Sequence, residues 1–238
     1  MVQLKYYGDD RDYFKYDLIS FILEKSSFKN YGYVPMLTEH RYDNEGNITP
    51  NPSDCKSKEL LNFIHTQSKP DLNNWELWLK QYVSSYDTIN PANTMYFNNN
   101  NRTNYWAKYK NIICASNSLV FFDPDTGMQA GRITPIQETN KEKYILNNEI
   151  PNILAQLSTT SAFLIYQHLQ RDSNRHELDI KNKINAISAI NTDLKSAVYR
   201  EKDLAFIFIT KNDSIYKSLN DALIQYKNRS TVDPRGLH

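Results

Sequence analysis

The sequence predicts an α/β domain built on a mostly parallel sheet, and two stretches carry most of this prediction. The run Leu119–Phe122 is apolar and rich in β-forming residues, and it leads into Asp123-Pro124, where proline ends the strand because it cannot donate to the ladder. Near the C-terminus, apolar runs at 196–199 and 204–210 flank four polar residues, which predicts an antiparallel hairpin at one edge of the sheet.

The other elements alternate between helices and strands along the chain, which is typical of this class. Apolar residues at helical spacing predict a first helix over about 12–26, with Asp10 or Asp12 as its N-cap and Asp9 free for another role. We expect one domain over 1–227, with a helical insertion at about 50–112, and a flexible tail over 228–238. The remaining predicted elements are strands at 33–37 and 162–168 and helices at 54–66, 74–85, 105–113, 149–157, 175–190 and 214–226.

Composition limits the classes of function. The 28 Lys and Arg residues balance 27 Asp and Glu residues, so no global positive field is present and any nucleic-acid contact must be a local patch. Cys55 and Cys114 lack companions at metal-ligand spacing, and we expect both to be reduced thiols. No stretch approaches the roughly 20 apolar residues of a membrane span, and Met1–Tyr7 has no signal-peptide core. These features predict a soluble, cytoplasmic protein without a phosphate-cradling glycine loop.

Polar side chains follow three of the predicted strands at the point where each strand ends. Parallel strands place their carboxyl ends at one rim of a sheet, which is where ligands bind in open α/β domains. We expect Asp9 and Lys15 of the N-terminal region to meet Asp123 at this rim, with Asp123 and Asp125 on a sharp exposed corner that Gly127 completes. The polar strand ends are Thr38-Glu39-His40, Asp123-Pro124-Asp125, and Gln167-His168 with Arg171.

Four segments resemble, in the same order, the signatures of a group of uncharacterised bacterial proteins of similar length. The signatures are YVGDxxDFxKYxLL, LVFLDPDNGLE, KYV and YQHxxR, and their counterparts here are 7–16, 119–127, 143–145 and 166–171. This resemblance spans most of the chain and names a family without naming an activity.

The N-terminal segment is also similar, more distantly, to the opening of the adenine-N6 methyltransferase J family, which modifies large-subunit ribosomal RNA. Gly8, Asp12 and Lys15 match that opening, while Asp9 replaces an asparagine and Tyr16 a histidine. The similarity implies a Rossmann-like, class I methyltransferase fold and an S-adenosylmethionine-dependent reaction on an amine of a nucleic acid or nucleotide.

The same similarity implies roles for individual residues. In such amino-methyltransferases an Asp side chain and the following proline carbonyl accept hydrogen bonds from the target amine, and Asp123 and Pro124 match this pair. Asp125 and Thr126 stand where that family has a second proline and an aromatic residue. The expected catalytic residues are Asp123, Pro124, Asp125, Lys15 and His168, and those expected near the cofactor are Gly8, Asp9, Asp12, Thr38 and Glu39.

Two other functions fit the same residues. Asp9, Asp12, Asp123 and Asp125 are hard oxygen ligands of the kind Mg²⁺ prefers, so a magnesium-dependent nuclease or phosphodiesterase is an alternative. A second alternative is a non-catalytic binding component of a defence or mobile-element system that retains a degenerate methyltransferase fold. The two enzyme functions imply a nucleic acid or nucleotide substrate. No membrane partner is expected, and the sequence leaves a homodimer open.

Overall fold

Eight strands lie within the part of the chain that the computed structural model describes, namely residues 6, 8–39, 48–66, 87–89, 95–132 and 135–231. They are β1 (Asn30–Pro35), β2 (Asp87–Ile89), β3 (Ser118–Asp123), β4 (Gly127–Met128), β5 (Tyr144–Ile145), β6 (Ala162–His168), β7 (Lys195–Glu201) and β8 (Leu204–Thr210). Six of them form the central sheet in the order β2-β1-β3-β6-β8-β7, and β4 pairs with β5 in a small second sheet.

The central sheet is mostly parallel, as predicted, and is compatible with a Rossmann-like fold. β2, β1, β3 and β6 run parallel, whereas β8 runs antiparallel to both of its neighbours. The predicted antiparallel hairpin is therefore present, and it forms one edge of the sheet as expected. Within the hairpin, the almost wholly apolar β8 is the inner strand and is buried throughout, whereas β7 carries polar, partly exposed residues and takes the edge.

Helices cover both faces of the sheet. Side chains of α1, α2 and α6 join one apolar cluster with the sheet residues Tyr33, Phe121 and Leu164. Side chains of α3, α4 and α5 join a second cluster, which includes Val120 and Phe122 on the opposite face. The helices are α1 (Asp10–Lys25), α2 (Lys58–Thr66), α3 (Arg102–Ile113), α4 (Ile150–Ala155), α5 (His176–Ile190) and α6 (Asp213–Lys227).

The first helix begins earlier than the sequence indicates. α1 starts at Asp10, and its N-cap is Asp9, whose side chain accepts a hydrogen bond from the backbone N–H of Asp12. The prediction that Asp10 or Asp12 caps the helix and leaves Asp9 free is therefore wrong. All three residues are aspartates with good capping chemistry, so composition alone does not select among them.

The segment predicted as a helical insertion contributes more than helices. It contains α2 and α3, but it also supplies β2, which extends the main sheet beside β1. The helix predicted at 74–85 and the residue His40 lie outside the described residues.

The described start of the predicted C-terminal tail is in contact with the domain. Arg229 donates from Nη1 to Asp17 and from Nη2 to the carbonyl oxygen of Lys56. The remainder of the tail, 232–238, is not among the described residues. In the part of the chain that is described, no helix combines the length and apolar character needed to cross a membrane.

Candidate functional site

The order of the strands places a topological switch point between β1 and β3. The chain goes from β1 to β2 on one side and then returns to β3 on the other side of β1. In open α/β sheets, ligands bind outside the carboxyl ends of the strands where the connections diverge in this way. The first residues of α1 lie at the same rim, because α1 leads directly into the amino end of β1.

Asp123 is the last residue of β3, and its carboxylate faces α1. Side chains alternate between the two faces of a strand, so Asp123 shares the face of Phe121, which packs in the α1 cluster. Asp123 is opposite Pro35 in the register and is only 1% exposed. Asp125 is 5% exposed, so the prediction that both aspartates occupy an exposed corner is wrong. The turn residues after Asp123 correctly indicated where β3 ends. That end is nevertheless buried, because α1 packs over it.

The N-cap and first turns of α1 supply three charged side chains spaced three residues apart, namely Asp9, Asp12 and Lys15. Asp9 accepts from the backbone N–H of Asp12 at 2.9 Å, and Gly8 donates its backbone N–H to Asp12 Oδ2 at 3.2 Å. Gly8 has a φ of +77°, a left-handed conformation that favours glycine. This turn directs Asp12 and Lys15 along one helical face toward the sheet.

Lys15 joins α1 to the central strand through a buried ion pair. Its Nζ lies 2.9 Å from Asp123 Oδ1 and 3.1 Å from Oδ2, and 3.2 Å from Asp12 Oδ1. The same ammonium lies 4.3 Å from the centre of the Tyr166 ring, a cation–π contact. The expected contact between Lys15 and Asp123 is therefore present, although the two residues are far apart in sequence.

Electrostatics in this cluster favour a protonated lysine. Burial opposes the charge of Lys15, but the carboxylates of Asp123 and Asp12 outweigh it and raise the pKa of Lys15 well above its usual value. Burial also raises the pKa of Asp123, whereas Lys15 and the Tyr33 hydroxyl favour its ionised form. These directions compete within one pair, and we infer that both members are charged, because the ammonium faces a second carboxylate as well.

Asp9 has an acid–base property suited to neutral pH. Burial, and after it the neighbouring Asp12 carboxylate, raise the pKa of Asp9 to about 7. A carboxyl group with this pKa exchanges protons near pH 7, which is the requirement for a general acid or base.

His168 lies beside the cluster rather than within the ion pair. Its ring packs edge-on to Tyr166 at 5.3 Å, and Nδ1 is 3.9 Å from Asp203 Oδ2. Burial, followed by the charge of Arg11, lowers the pKa of His168 to about 3. The imidazole is therefore neutral at pH 7, and it can donate or accept a hydrogen bond but does not supply a positive charge.

The other expected site residues are distributed along the rim. Pro124 is buried directly after Asp123, and Asp125 Oδ2 lies 3.9 Å from Lys143 Nζ. Thr38 is 5% exposed, and its hydroxyl has no hydrogen-bond partner within the described residues. Glu39 next to it is exposed.

The magnesium alternative lacks an assembled ligand set. Among the described residues, no group of three or more Asp, Glu, His or Cys side chains is arranged to hold a metal ion. The expected set of Asp9, Asp12, Asp123 and Asp125 is divided, because the Asp123 carboxylate faces Lys15 and Asp125 faces Lys143.

Two tyrosines of the cluster were not assigned roles from the sequence. Tyr33 donates from its hydroxyl to Asp123 Oδ2 at 2.9 Å, and Tyr166 forms the aromatic wall beside Lys15. Alternation along parallel strands is a signal that could have found them. Tyr33 and Asp123 lie on the same face of neighbouring strands, but the pairing register must be known before that relation can be used.

Comparison of the chain with protein-family models, with curated proteins and with solved structures gives no match. The function must therefore be inferred from the geometry of the cluster formed by Asp9, Asp12, Lys15, Tyr33, Asp123 and Tyr166, here called the rim cluster.

Proposed function

We propose that this protein is a methyltransferase-like enzyme that uses S-adenosylmethionine to methylate an amine of a nucleic acid or nucleotide. One observation carries the proposal. The Asp123-Pro124 pair ends β3 at the topological switch point between β1 and β3, and the N-terminal residues Gly8–Lys15 converge on the same place. The resemblance in sequence assigns an amine-accepting role to this Asp-Pro pair, and its position at the switch point is suited to that role.

Residues at the rim fit a bound cofactor in one specific respect. The buried Thr38 hydroxyl has no partner within the described residues, and a buried polar atom is stabilised when a ligand supplies one. Thr38 and the exposed Glu39 lie three and four residues beyond the end of β1 and would hold the cofactor. When bound, S-adenosylmethionine supplies an electrophilic methyl group.

The chain's own residues would orient the amine and remove its proton. Asp123 and the Pro124 carbonyl oxygen would accept the N–H groups, and this fixed geometry would direct the nitrogen lone pair at the methyl group. Lys15 would keep Asp123 ionised and therefore a strong acceptor. After the methyl group is transferred, the amine nitrogen releases a proton, and the Asp9 carboxylate can take it up because its pKa is about 7.

The candidate amine-binding residue Asp123 is covered in the structure. Asp123 is 1% exposed, so a substrate amine reaches it only after side chains at the rim move aside. Closure of this kind excludes water from the reacting groups and strengthens their electrostatic interactions.

The test combines cofactor binding with methyl transfer. The parent protein and the variants Asp123→Asn and Asp123→Ala are titrated calorimetrically with S-adenosylmethionine and its demethylated product, and labelled methyl transfer is measured to RNA, DNA and free nucleotides. Each variant is assayed below its melting temperature, because both remove the counter-charge of Lys15. Asp193→Asn is the matched control, since Asp193 is exposed and precedes the amino end of β7, at the opposite rim.

We expect the parent and the Asp193 variant to bind the cofactor and transfer the methyl group. Asp123→Asn should keep part of the activity because an amide oxygen still accepts a hydrogen bond, and Asp123→Ala should have none. A folded parent that binds neither compound would overturn the proposal and favour a non-catalytic binding component.

A further inference from the structure

Tyr33 holds the Asp123 carboxylate from the strand beside it. Its hydroxyl donates to Asp123 Oδ2 at 2.9 Å, and both residues are buried. The ring is stacked against Tyr31 at 6.5 Å and against Phe121 at 5.5 Å, with interplanar angles of 15° and 16°. The direction of the hydroxyl is therefore fixed by two neighbouring rings rather than by the carboxylate alone.

The two oxygens of Asp123 differ in their hydrogen bonds. Oδ2 accepts from Tyr33 at 2.9 Å and from Lys15 Nζ at 3.1 Å. Oδ1 lies 2.9 Å from the same Nζ, but not in a direction that makes a hydrogen bond, and it accepts none within the described residues. The ion pair with Lys15 compensates the charge of Oδ1, and an N–H donor from a ligand would add the hydrogen bond that this oxygen lacks among those residues.

Near the carboxyl end of β1, the buried hydroxyl of Thr38 also lacks a hydrogen bond within the described part of the chain. Thr38 lies three residues beyond the last residue of β1. The carboxyl end of β1 is held to that of β3, because Met36 donates its backbone N–H to the Asp123 carbonyl oxygen at 3.2 Å. Two buried oxygens at the ends of adjoining strands therefore lack a hydrogen bond to any described residue, and a polar ligand can supply one.

We propose that Tyr33 is a positioning residue, whose hydrogen bond to Asp123 Oδ2 orients the carboxylate so that Oδ1, which meets Lys15 only as an ion-pair contact, receives the target amine. This inference rests on the proposed methyl transfer and assigns Oδ1 as the oxygen that receives the substrate N–H. Without the Tyr33 hydroxyl, the carboxylate can rotate out of this orientation, and the amine then meets a misdirected acceptor. Tyr33 itself does not contact the amine.

The neighbouring Tyr31 provides a matched control. It is buried on the same face of β1, two residues earlier, and its hydroxyl has no hydrogen-bond partner within the described residues. Tyr31→Phe and Tyr33→Phe therefore remove the same atom from the same strand face, but only Tyr33→Phe removes a hydrogen bond to Asp123.

The experiment compares these two variants with the parent by steady-state methyl transfer and by carboxyl NMR titration of Asp123. We expect Tyr33→Phe to lower kcat about 10- to 100-fold, the effect of one hydrogen bond to a charged group, with little change in KM for S-adenosylmethionine. The pKa of Asp123 should also rise in Tyr33→Phe, because a donor that stabilises the carboxylate is lost. Tyr31→Phe should match the parent in both measurements.

The outcomes separate this inference from the proposed function. A parent without methyl transfer to any of the tested amines removes the proposed function, and the role of Tyr33 with it. An active parent whose Tyr33→Phe and Tyr31→Phe variants have equal kcat leaves the proposed function intact and overturns only the role of Tyr33. A lower kcat with an unchanged Asp123 pKa also overturns it, since the effect would then not pass through Asp123.

Discussion

Replacing Lys15 by methionine isolates the energy of the buried ion pair. The Lys15 side chain is 5% exposed and the Asp123 side chain 2%, and Nζ to Oδ1 is 2.9 Å. At an effective dielectric constant of about 20, charges at this distance attract by roughly 5–6 kcal/mol, and desolvation offsets a large part of this. Methionine fills a similar volume but leaves the Asp123 charge uncompensated, so we expect a loss of about 3–5 kcal/mol in the free energy of unfolding.

The loss should depend on pH in a defined direction. Without the ammonium, burial should raise the pKa of Asp123 above its value in the unfolded chain. A group of this kind contributes its full stability below the unfolded pKa and loses it as the pH rises through the folded pKa. The deficit of Lys15→Met relative to the parent should therefore shrink on acidification, as Asp123 takes up a proton. The double variant with Asp123→Asn should recover much of the loss at pH 7.

Urea unfolding followed by tryptophan fluorescence measures these free-energy differences. In thermal unfolding, the same loss corresponds to a melting temperature lower by about 6–20 °C for a chain of this length. Lys25→Met is the matched control on the same helix. Lys25 pairs with Glu24, but their side chains are 41% and 68% exposed, so about 0–1 kcal/mol is expected. A loss below about 1 kcal/mol for Lys15→Met, or a loss independent of pH, would refute the reasoning.

Three further variants test other parts of the structure by the same unfolding measurement. Because the pKa of Asp9 is raised to about 7, its bound proton stabilises the fold fully below about pH 4, and this stability is lost as the pH rises through 7. Asp9→Asn keeps the N-cap and should abolish that decline; an unchanged decline would show that another group titrates. The pKa of His168 is lowered to about 3, so its stability is present above about pH 6.5 and is lost as the pH falls through 3. His168→Gln should flatten this acid limb, and a limb as steep as the parent's would contradict the assignment. Gly127 has a φ of +133°, and a Cβ there would lie 2.1 Å from Gln167 Oε1. Gly127→Ala should cost about 1–3 kcal/mol or more, and a neutral result would mean that Gln167 can move without losing its hydrogen bond to Met128.

The contact between distant charged residues could be predicted because it follows from topology. The carboxyl ends of parallel strands share a rim, and a helix that precedes β1 begins at the same rim, so Lys15 and Asp123 were expected to meet. The burial of Asp123 could not be predicted in this way. Its Asp-Pro-Asp-Thr-Gly context is typical of an exposed turn, and only the packing of α1 over the end of β3 reverses that expectation.

Two other features could not be read from the local sequence pattern. The N-cap of α1 depends on competition among three aspartates, and the role of Tyr33 depends on the register of β1 and β3. Asp9, Asp10 and Asp12 are all suitable N-caps, and the choice of Asp9 follows from where the preceding turn places the chain. Tyr33 contributes to the site because Pro35 is opposite Asp123, a pairing that no short sequence window specifies. A shift of one residue would point the Tyr33 hydroxyl to the opposite face of the sheet.

The position of β8 inside the sheet has a consequence for synthesis on the ribosome. β6 is almost entirely apolar or aromatic, and one of its edges is covered by β8, which is translated only after α5 and β7. Until residue 204 and those beyond it leave the exit tunnel, β6 therefore presents an unpaired apolar edge, the kind of surface that pairs with other chains. Nascent chains stalled between β7 and β8 should consequently be the most dependent on chaperones, and release of the last strand should end that dependence abruptly.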